Sequence, residues 1–185
     1  MTTIARADRG FLAFALVAMA AVVVASNILV QYPFEPFGLA DWLTWGAFTY
    51  PLAFFVTDLT NRQIGAGAAR RVVYAGFLIA VVLSALLSEP RIAAASGFAF
   101  LVGQLLDVTL FNRLRRQVWW RAPLISSALA SIVDTAIFFT AAFAFTGLPW
   151  LGWAAGDLLV KFAFTVGLLA PFRIFIAITR RPQAA

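Results

Sequence analysis

The stretch "SSALASIVDTAIFF", Ser126 to Phe139, decides how this chain is read. Apolar residues surround one carboxylate, Asp134. Ser127, Ser131, Asp134 and Phe138 recur at helical spacing and share one face. Outward from this stretch the apolar run extends over 122–145. A membrane-crossing helix takes roughly 17–25 residues, so the run is long enough to be one. A charged residue inside such a span costs about 2.5–3.5 kcal/mol on insertion scales, and it turns towards a bundle interior or a water-filled cavity. Small hydroxyl residues let helices pack closely. An aspartate in that stripe asks for a partner or a ligand.

The rest of the chain has the same character. Of its 185 residues, 63% are hydrophobic and 12% charged, about half the charged share of a soluble domain. Mean hydropathy is +0.91. The reading is an all-α integral membrane protein with six spans at 11–30, 42–59, 72–88, 92–110, 122–145 and 151–172, forming one membrane domain over 1–185. Continuous apolar runs favour helices over a barrel, whose strands alternate. The apolar run at the N-terminus exceeds the core of a usual signal peptide, about 7–15 residues, so it is read as a retained span. Cysteine and histidine are both absent. That excludes thiolate and imidazole metal sites and the usual neutral-pH base. Neither a metal nor a cofactor is expected.

Basic residues alternate with the connections. Arg6 and Arg9 precede the first span. Arg62, Arg70 and Arg71 lie between the second and third, and Arg113, Arg115, Arg116 and Arg121 between the fourth and fifth. Arg180 and Arg181 follow the sixth. The other three connections hold Arg91 alone, beside Glu35, Asp41 and Glu89. The positive-inside rule then predicts both termini in the cytoplasm of a multi-pass protein. The net charge of +6 is accounted for by this pattern and calls for no nucleic acid. All six tryptophans fall at predicted interfaces, where amphipathic rings anchor in the headgroups. "TDLTNR" and "LDVTLFNR", each with an aspartate before Asn-Arg, end the second and fourth spans as a weak internal echo.

Five ionisable residues sit within predicted spans: Asp58, Asp107, Asp134, Asp157 and Lys161. Asp58 has Arg62 four residues on, a natural helical pair. Asp107 has Arg113 nearby. Asp157 and Lys161 are spaced i,i+4 in the favourable order. At about 1.5 Å of rise per residue, Lys161 and Asp134 reach similar depth on consecutive antiparallel helices, where they pair or share a ligand. Asn27 and Gln31 are i,i+4, Gln104 and Asp107 are i,i+3, and Pro51 frees a backbone carbonyl within the second span. Carboxylates, amides, hydroxyls, one cation and many Phe rings suit a planar heterocycle with several N–H donors.

Several segments then show a family likeness. "SNILVQ", "TWGAFTYPLAFFVTDLTNR", "GAGAARR", "ASGFAFLVGQLLDVTLFNRLRR", "WWRAPLISSALASIVDTAIFF" and "DLLVKFAFTVGLLAP", in this order from Ser26 to Pro171, resemble the queuosine precursor transporter family, also called the vitamin uptake transporter family. The resemblance implies six helices in the bacterial inner membrane and uptake of 7-deazaguanines, preQ0 or preQ1, for tRNA modification. It carries family positions onto Asn27, Asp58, Arg62, Gln104, Asp107, Asn112, Arg113, Asp134, Asp157 and Lys161. Substrate contacts are expected from Asp134 first, then Asp107, Gln104, Asn27, Lys161, Asp58, Asp157 and Ser127. Gating or ion pairing is expected from Arg62, Arg113 and Asn112. The connection between the third and fourth spans is short, so an external lid found in longer relatives is expected to be missing. The expected partners are this small molecule and the lipid bilayer, with self-association left open.

No GxxxxGK[ST] loop is present, so no ATPase is built in. The alternative to a self-sufficient transporter by alternating access is a substrate-binding subunit of an ATPase-driven importer. An intramembrane protease is disfavoured, because Gly103 to Asp107 does not match the GxGD pattern such enzymes resemble. No enzymatic activity is expected.

Overall fold

Lipid offers no partner for backbone N–H and C=O groups, so apolar runs of membrane length satisfy them internally, as helices. The computed structural model describes residues 2–179, with side chains from Asp8 onward. Arg180, Arg181 and the side chain of Arg6, which enter the charge pattern above, lie outside the described residues. The described helices are α1 (Thr2–Leu29), α2 (Gly46–Thr49), α3 (Leu52–Ile64), α4 (Ala66–Leu87), α5 (Pro90–Leu114), α6 (Arg121–Phe143), α7 (Trp150–Gly167) and α8 (Leu169–Thr179). Among the described residues extended pairing is limited to Pro33 opposite Thr44.

Among the described residues, five helical stretches are long and apolar enough to cross a bilayer: Asp8–Leu29, Ala66–Leu87, Pro90–Leu114, Arg121–Phe143 and Trp150–Thr179. The expected second span, 42–59, is instead broken into α2 and α3. Pro51 has no N–H to continue the ladder, and the chain turns at Tyr50. With 13 residues, α3 is about 20 Å long, short of a hydrocarbon core of about 30 Å. The expected sixth span continues to Thr179 but is interrupted at Leu168, three residues before Pro171.

Short α3 lies in the interior. It packs on α1, α4 and α5 and touches α6 and α8. It buries Thr57, Asp58, Thr60 and Asn61, which is tolerable because neighbouring helices shield it from lipid. One apolar core joins Met19 of α1, Ala53 of α3, Val72 and Val73 of α4, and Phe100 of α5. A smaller one joins Phe111, Ala122, Phe172 and Ile176. The outer surface carries exposed Leu78, Leu86, Leu159 and Ile178, as a lipid-facing surface would.

The two ends of the bundle differ. At the basic end, Arg62 donates to the Arg115 carbonyl at 2.8 Å and Arg115 donates back to the Arg62 carbonyl at 3.4 Å. This reciprocal strap ties the ends of α3 and α5. Gly65 turns the chain into α4 with φ 95°, a conformation open to glycine. At the acidic end, Arg91 donates to the carbonyls of Ala141 and Ala144, both at 2.8 Å, and so caps the last turn of α6. That explains the one basic residue on the otherwise acidic side.

Candidate functional site

Between α1, α2, α5, α6 and α7 lies a cavity of about 880 Å³, within the range of roughly 300–1,000 Å³ usual for small-molecule sites. It reaches the acidic end, where residues 40–44, Leu87, Glu89 and Pro149 line it. Its walls include Phe100, Phe138, Phe139, Phe143 and Trp153. Its deep end holds Tyr50, Asp134, Asp157 and Lys161, and Asn27 lines one side.

The charged floor is a connected network. The Lys161 ammonium donates to Asp134 Oδ2 at 2.6 Å and Thr135 Oγ1 at 2.9 Å, and pairs with Asp157 Oδ2 at 2.6 Å. Its three protons are thereby all used. Thr135 donates in turn to Asp157 Oδ2 at 2.8 Å. The Tyr50 hydroxyl donates to Asp134 Oδ1 at 2.8 Å, and its ring centroid lies 5.0 Å from the ammonium. Both oxygens of Asp134 are therefore committed. Its side chain is 3% exposed, against 17% for Asp157, whose Oδ1 makes no hydrogen bond among the described residues. A buried ion network is tolerable only when every member is satisfied, and Asp134 and Lys161 meet that condition.

Local sequence explains the placement. Asp157 and Lys161 share one face of α7 through i,i+4 spacing. Asp134 reaches them across the α6–α7 contact, and Tyr50, between α2 and α3, donates to it from the opposite wall. Gly103 of α5 makes the approach possible: a Cβ there would lie 2.9 Å from Asp134 Cβ.

Beyond the floor, towards the basic end, is a second polar cluster that does not line the cavity. Ser127 Oγ lies 3.2 Å from both Asp58 Oδ2 and Asp107 Oδ1. Thr57 Oγ1 lies 3.0 Å from Gln104 Oε1 and 3.5 Å from Asp107 Oδ2. All five residues are buried.

The expected site residues thus separate into groups. Asn27, Asp134, Asp157 and Lys161 meet at the cavity, with Asn27 held by Ser84 at 3.0 Å. Asp58, Gln104, Asp107 and Ser127 form the second cluster. Arg62 belongs to the strap at the basic end. Asn112 and Arg113 are exposed there and join neither cluster. The echo between "TDLTNR" and "LDVTLFNR" is therefore not one of structure: Asn61 is buried and donates to the Val108 carbonyl at 2.9 Å, whereas Asn112 faces outward. Sequence reasoning missed Tyr50 and Thr135. The available signals were the Tyr-Pro step within an apolar run and a hydroxyl directly after Asp134. It also missed the connection 31–45, which forms part of the cavity mouth. Gly152 and Gly156 admit it against α7; a Cβ on Gly152 would lie 2.7 Å from the Trp42 ring.

Comparison with known proteins adds an independent line. The family described as "Putative vitamin uptake transporter" matches residues 44–89 and 83–176. The "Queuosine precursor transporter" of Escherichia coli (strain K12) is 36% identical over 176 residues, covering 81% of this chain and 79% of the relative. The "Probable queuosine precursor transporter" of Haemophilus influenzae is 38% identical over 166 residues, covering 72% and 71%. A protein of the same name from Bacillus subtilis (strain 168) is 31% identical over 175 residues, covering 77% and 75%. No solved structure matches the chain.

Proposed function

This chain belongs to the vitamin uptake transporter family of queuosine precursor transporters, multi-pass membrane proteins and not enzymes, and on that premise we propose that it imports a 7-deazaguanine, preQ0 or preQ1, for queuosine synthesis. In this reading the chain crosses a bacterial inner membrane six times, with the α2–α3 segment as the second passage and both termini in the cytoplasm. The acidic end then faces outward and the basic end inward, as the positive-inside rule requires.

The observation that carries this reading is the cavity itself. It combines aromatic walls with a charged floor and reaches the end assigned to the outside. A 7-deazaguanine has a flat apolar face for the Phe and Trp rings and an N–H edge for a carboxylate. Asp157 Oδ1 is the uncommitted acceptor, while Asp134 orients Lys161. The Asn27 amide flanks the ring from α1. Alternating access then closes the mouth at 40–44 and Trp153 and releases the Arg62–Arg115 strap at the opposite end.

The test is a bacterial strain lacking both precursor synthesis and its own importer. Expression of this protein restores queuosine in tRNA when preQ0 or preQ1 is supplied externally. Absence of queuosine despite normal membrane expression overturns the ligand. Uptake by the purified chain alone in liposomes separates this reading from a binding subunit that needs an ATPase.

A further inference from the structure

In the second cluster the carboxylate oxygens outnumber the hydroxyl protons directed at them. Four carboxylate oxygens of Asp58 and Asp107 meet the single hydroxyl protons of Ser127 and Thr57. Thr57 also lies 2.8 Å from the Phe54 carbonyl, its shortest contact, so little of its donor capacity is left for Asp107. Asp58 is 2% exposed, yet its Oδ1 has no hydrogen-bond partner, and the Nε2 of fully buried Gln104 has none either. The two carboxyl groups meet at one hydroxyl, with Ser127 Oγ 3.2 Å from an oxygen of each. Gln104 Nε2 is a donor without an acceptor, whereas a buried carboxylate oxygen left unmatched among the described residues, as Asp58 Oδ1 is, is rare and calls for a missing donor. A proton held between two facing carboxyls supplies that donor and removes the repulsion between like charges.

The surroundings place a path on either side. On α6, Ser131 lies one turn from Ser127 and one from Asp134, and its buried hydroxyl has no partner. It stands on α6 between the pair and the cavity floor. On the other side a cavity of about 20 Å³ touches Asp58 and Ser127 and is bounded by Leu168, Leu169 and Phe172 at the α7–α8 break. Roughly 10–15 Å³ suffices for one water. Other charges near the pair are engaged elsewhere or exposed. Arg62 of α3 donates to the Arg115 carbonyl of α5, Arg173 of α8 stacks on Trp119, and Arg70 and Arg71 of α4 are exposed. At this level α6 offers only Ser126 and Ser127. Lys161 of α7 is held by Asp134 and Asp157.

We propose that Asp58 and Asp107 together bind one transferable proton and that this pair, separate from the substrate cavity, couples substrate movement to the proton gradient. This rests on the transport reading above. The proton enters from the outward cavity through Ser131 and is shared by the two carboxyls. It leaves through the small cavity when the basic end opens, so that one proton crosses per substrate.

The experiment uses the whole chain in proteoliposomes with radiolabelled preQ1 or preQ0. Exchange is measured without a gradient, and accumulation under a one-unit pH gradient, alkaline inside. One-to-one coupling accumulates substrate up to about tenfold, because one pH unit is a tenfold proton ratio. Asp58→Asn and Asp107→Asn, which mimic the protonated acid, are expected to exchange substrate but to lose the response to the gradient. A wild-type measurement needs no variant to fold: substrate entry acidifies the lumen, seen with a trapped pH dye. Wild-type exchange without gradient-driven accumulation, drive by sodium instead, or undiminished gradient response in both variants each overturns the proton site while leaving transport intact. Absence of exchange in the wild type overturns the transport reading itself.

Discussion

The two buried polar clusters contain similar residues and solve different problems. At the cavity floor, two carboxylates surround one lysine, and Tyr50 and Thr135 fill the remaining positions. Towards the basic end, two carboxyls face each other across Ser127, and their oxygens outnumber the hydroxyl protons directed at them. The first arrangement is complete except for Asp157 Oδ1, which faces the cavity. The second leaves Asp58 Oδ1 and Gln104 Nε2 without partners among the described residues and lies off the cavity. A satisfied network is suited to hold a fixed shape against which a ligand docks. An unsatisfied one is suited to bind and release a small cation.

The strongest way to break this contrast is Lys161→Met. It leaves Asp134 and Asp157 buried without their counter-charge, and breaking a buried pair on one side costs about 3–5 kcal/mol. Uptake is lost and thermal stability in detergent falls sharply. Adding Asp134→Asn to Lys161→Met restores much of the melting temperature and none of the uptake, because the orienting charge is gone. If the double variant transports normally, the floor is scaffolding only.

Gly103→Ala acts between the two regions. Its new Cβ would lie 2.9 Å from Asp134 Cβ and force α5 and α6 apart, at about 1–3 kcal/mol for overpacking. Stability and uptake both fall. An unchanged melting temperature would show that the helices have slack at this contact.

Tyr50→Phe sharpens the contrast more gently. Asp134 Oδ1 loses its donor, and a hydrogen bond to a charged group contributes about 1.5–3 kcal/mol. Substrate affinity is expected to weaken by about tenfold, the equivalent of 1.4 kcal/mol, while the gradient response of exchanged substrate persists. Equilibrium binding on purified protein checks this, and unaltered affinity would remove Tyr50 from the site.

Arg91→Ala lies outside both clusters. It removes two hydrogen bonds to the last carbonyls of α6, worth about 1 kcal/mol near a helix end. The melting temperature drops slightly and uptake stays at the wild-type level. A large loss of uptake would mean that the acidic end moves as part of transport and depends on this cap.

Much of the site was legible before the fold was known. Lipid makes an isolated charge costly, so Asp58, Asp107, Asp134, Asp157 and Lys161 stood out by burial cost alone. The Asp157–Lys161 pair follows from i,i+4 spacing, and the Asp134–Lys161 pair from matched depth on adjoining antiparallel helices. Asp58 was harder. Its spacing suggests a local partner in Arg62, but its carboxyl meets Ser127 on another helix, and the guanidinium reaches the Arg115 carbonyl. Asn112 and Arg113 enter through the family resemblance, and the rotation of α5 turns them outward.

The physical reason is the solvent. In water, an amphipathic pattern fixes which face of a helix turns inward. In lipid, both the bundle interior and its surroundings accept apolar side chains, so periodicity says little about rotation. Length, hydropathy and charge placement along the chain determined that this is an all-helical membrane protein with several apolar spans, and which few charges need partners there. Only the tertiary structure decided that the short helix after Pro51, α3, lies in the bundle interior. It decided too that Tyr50 and Gly103 bring Asp134 to Lys161, and that the acids divide into a floor with a cation and a pair without one. Those outcomes depend on how helices rotate and cross, which is set by contacts distant in sequence.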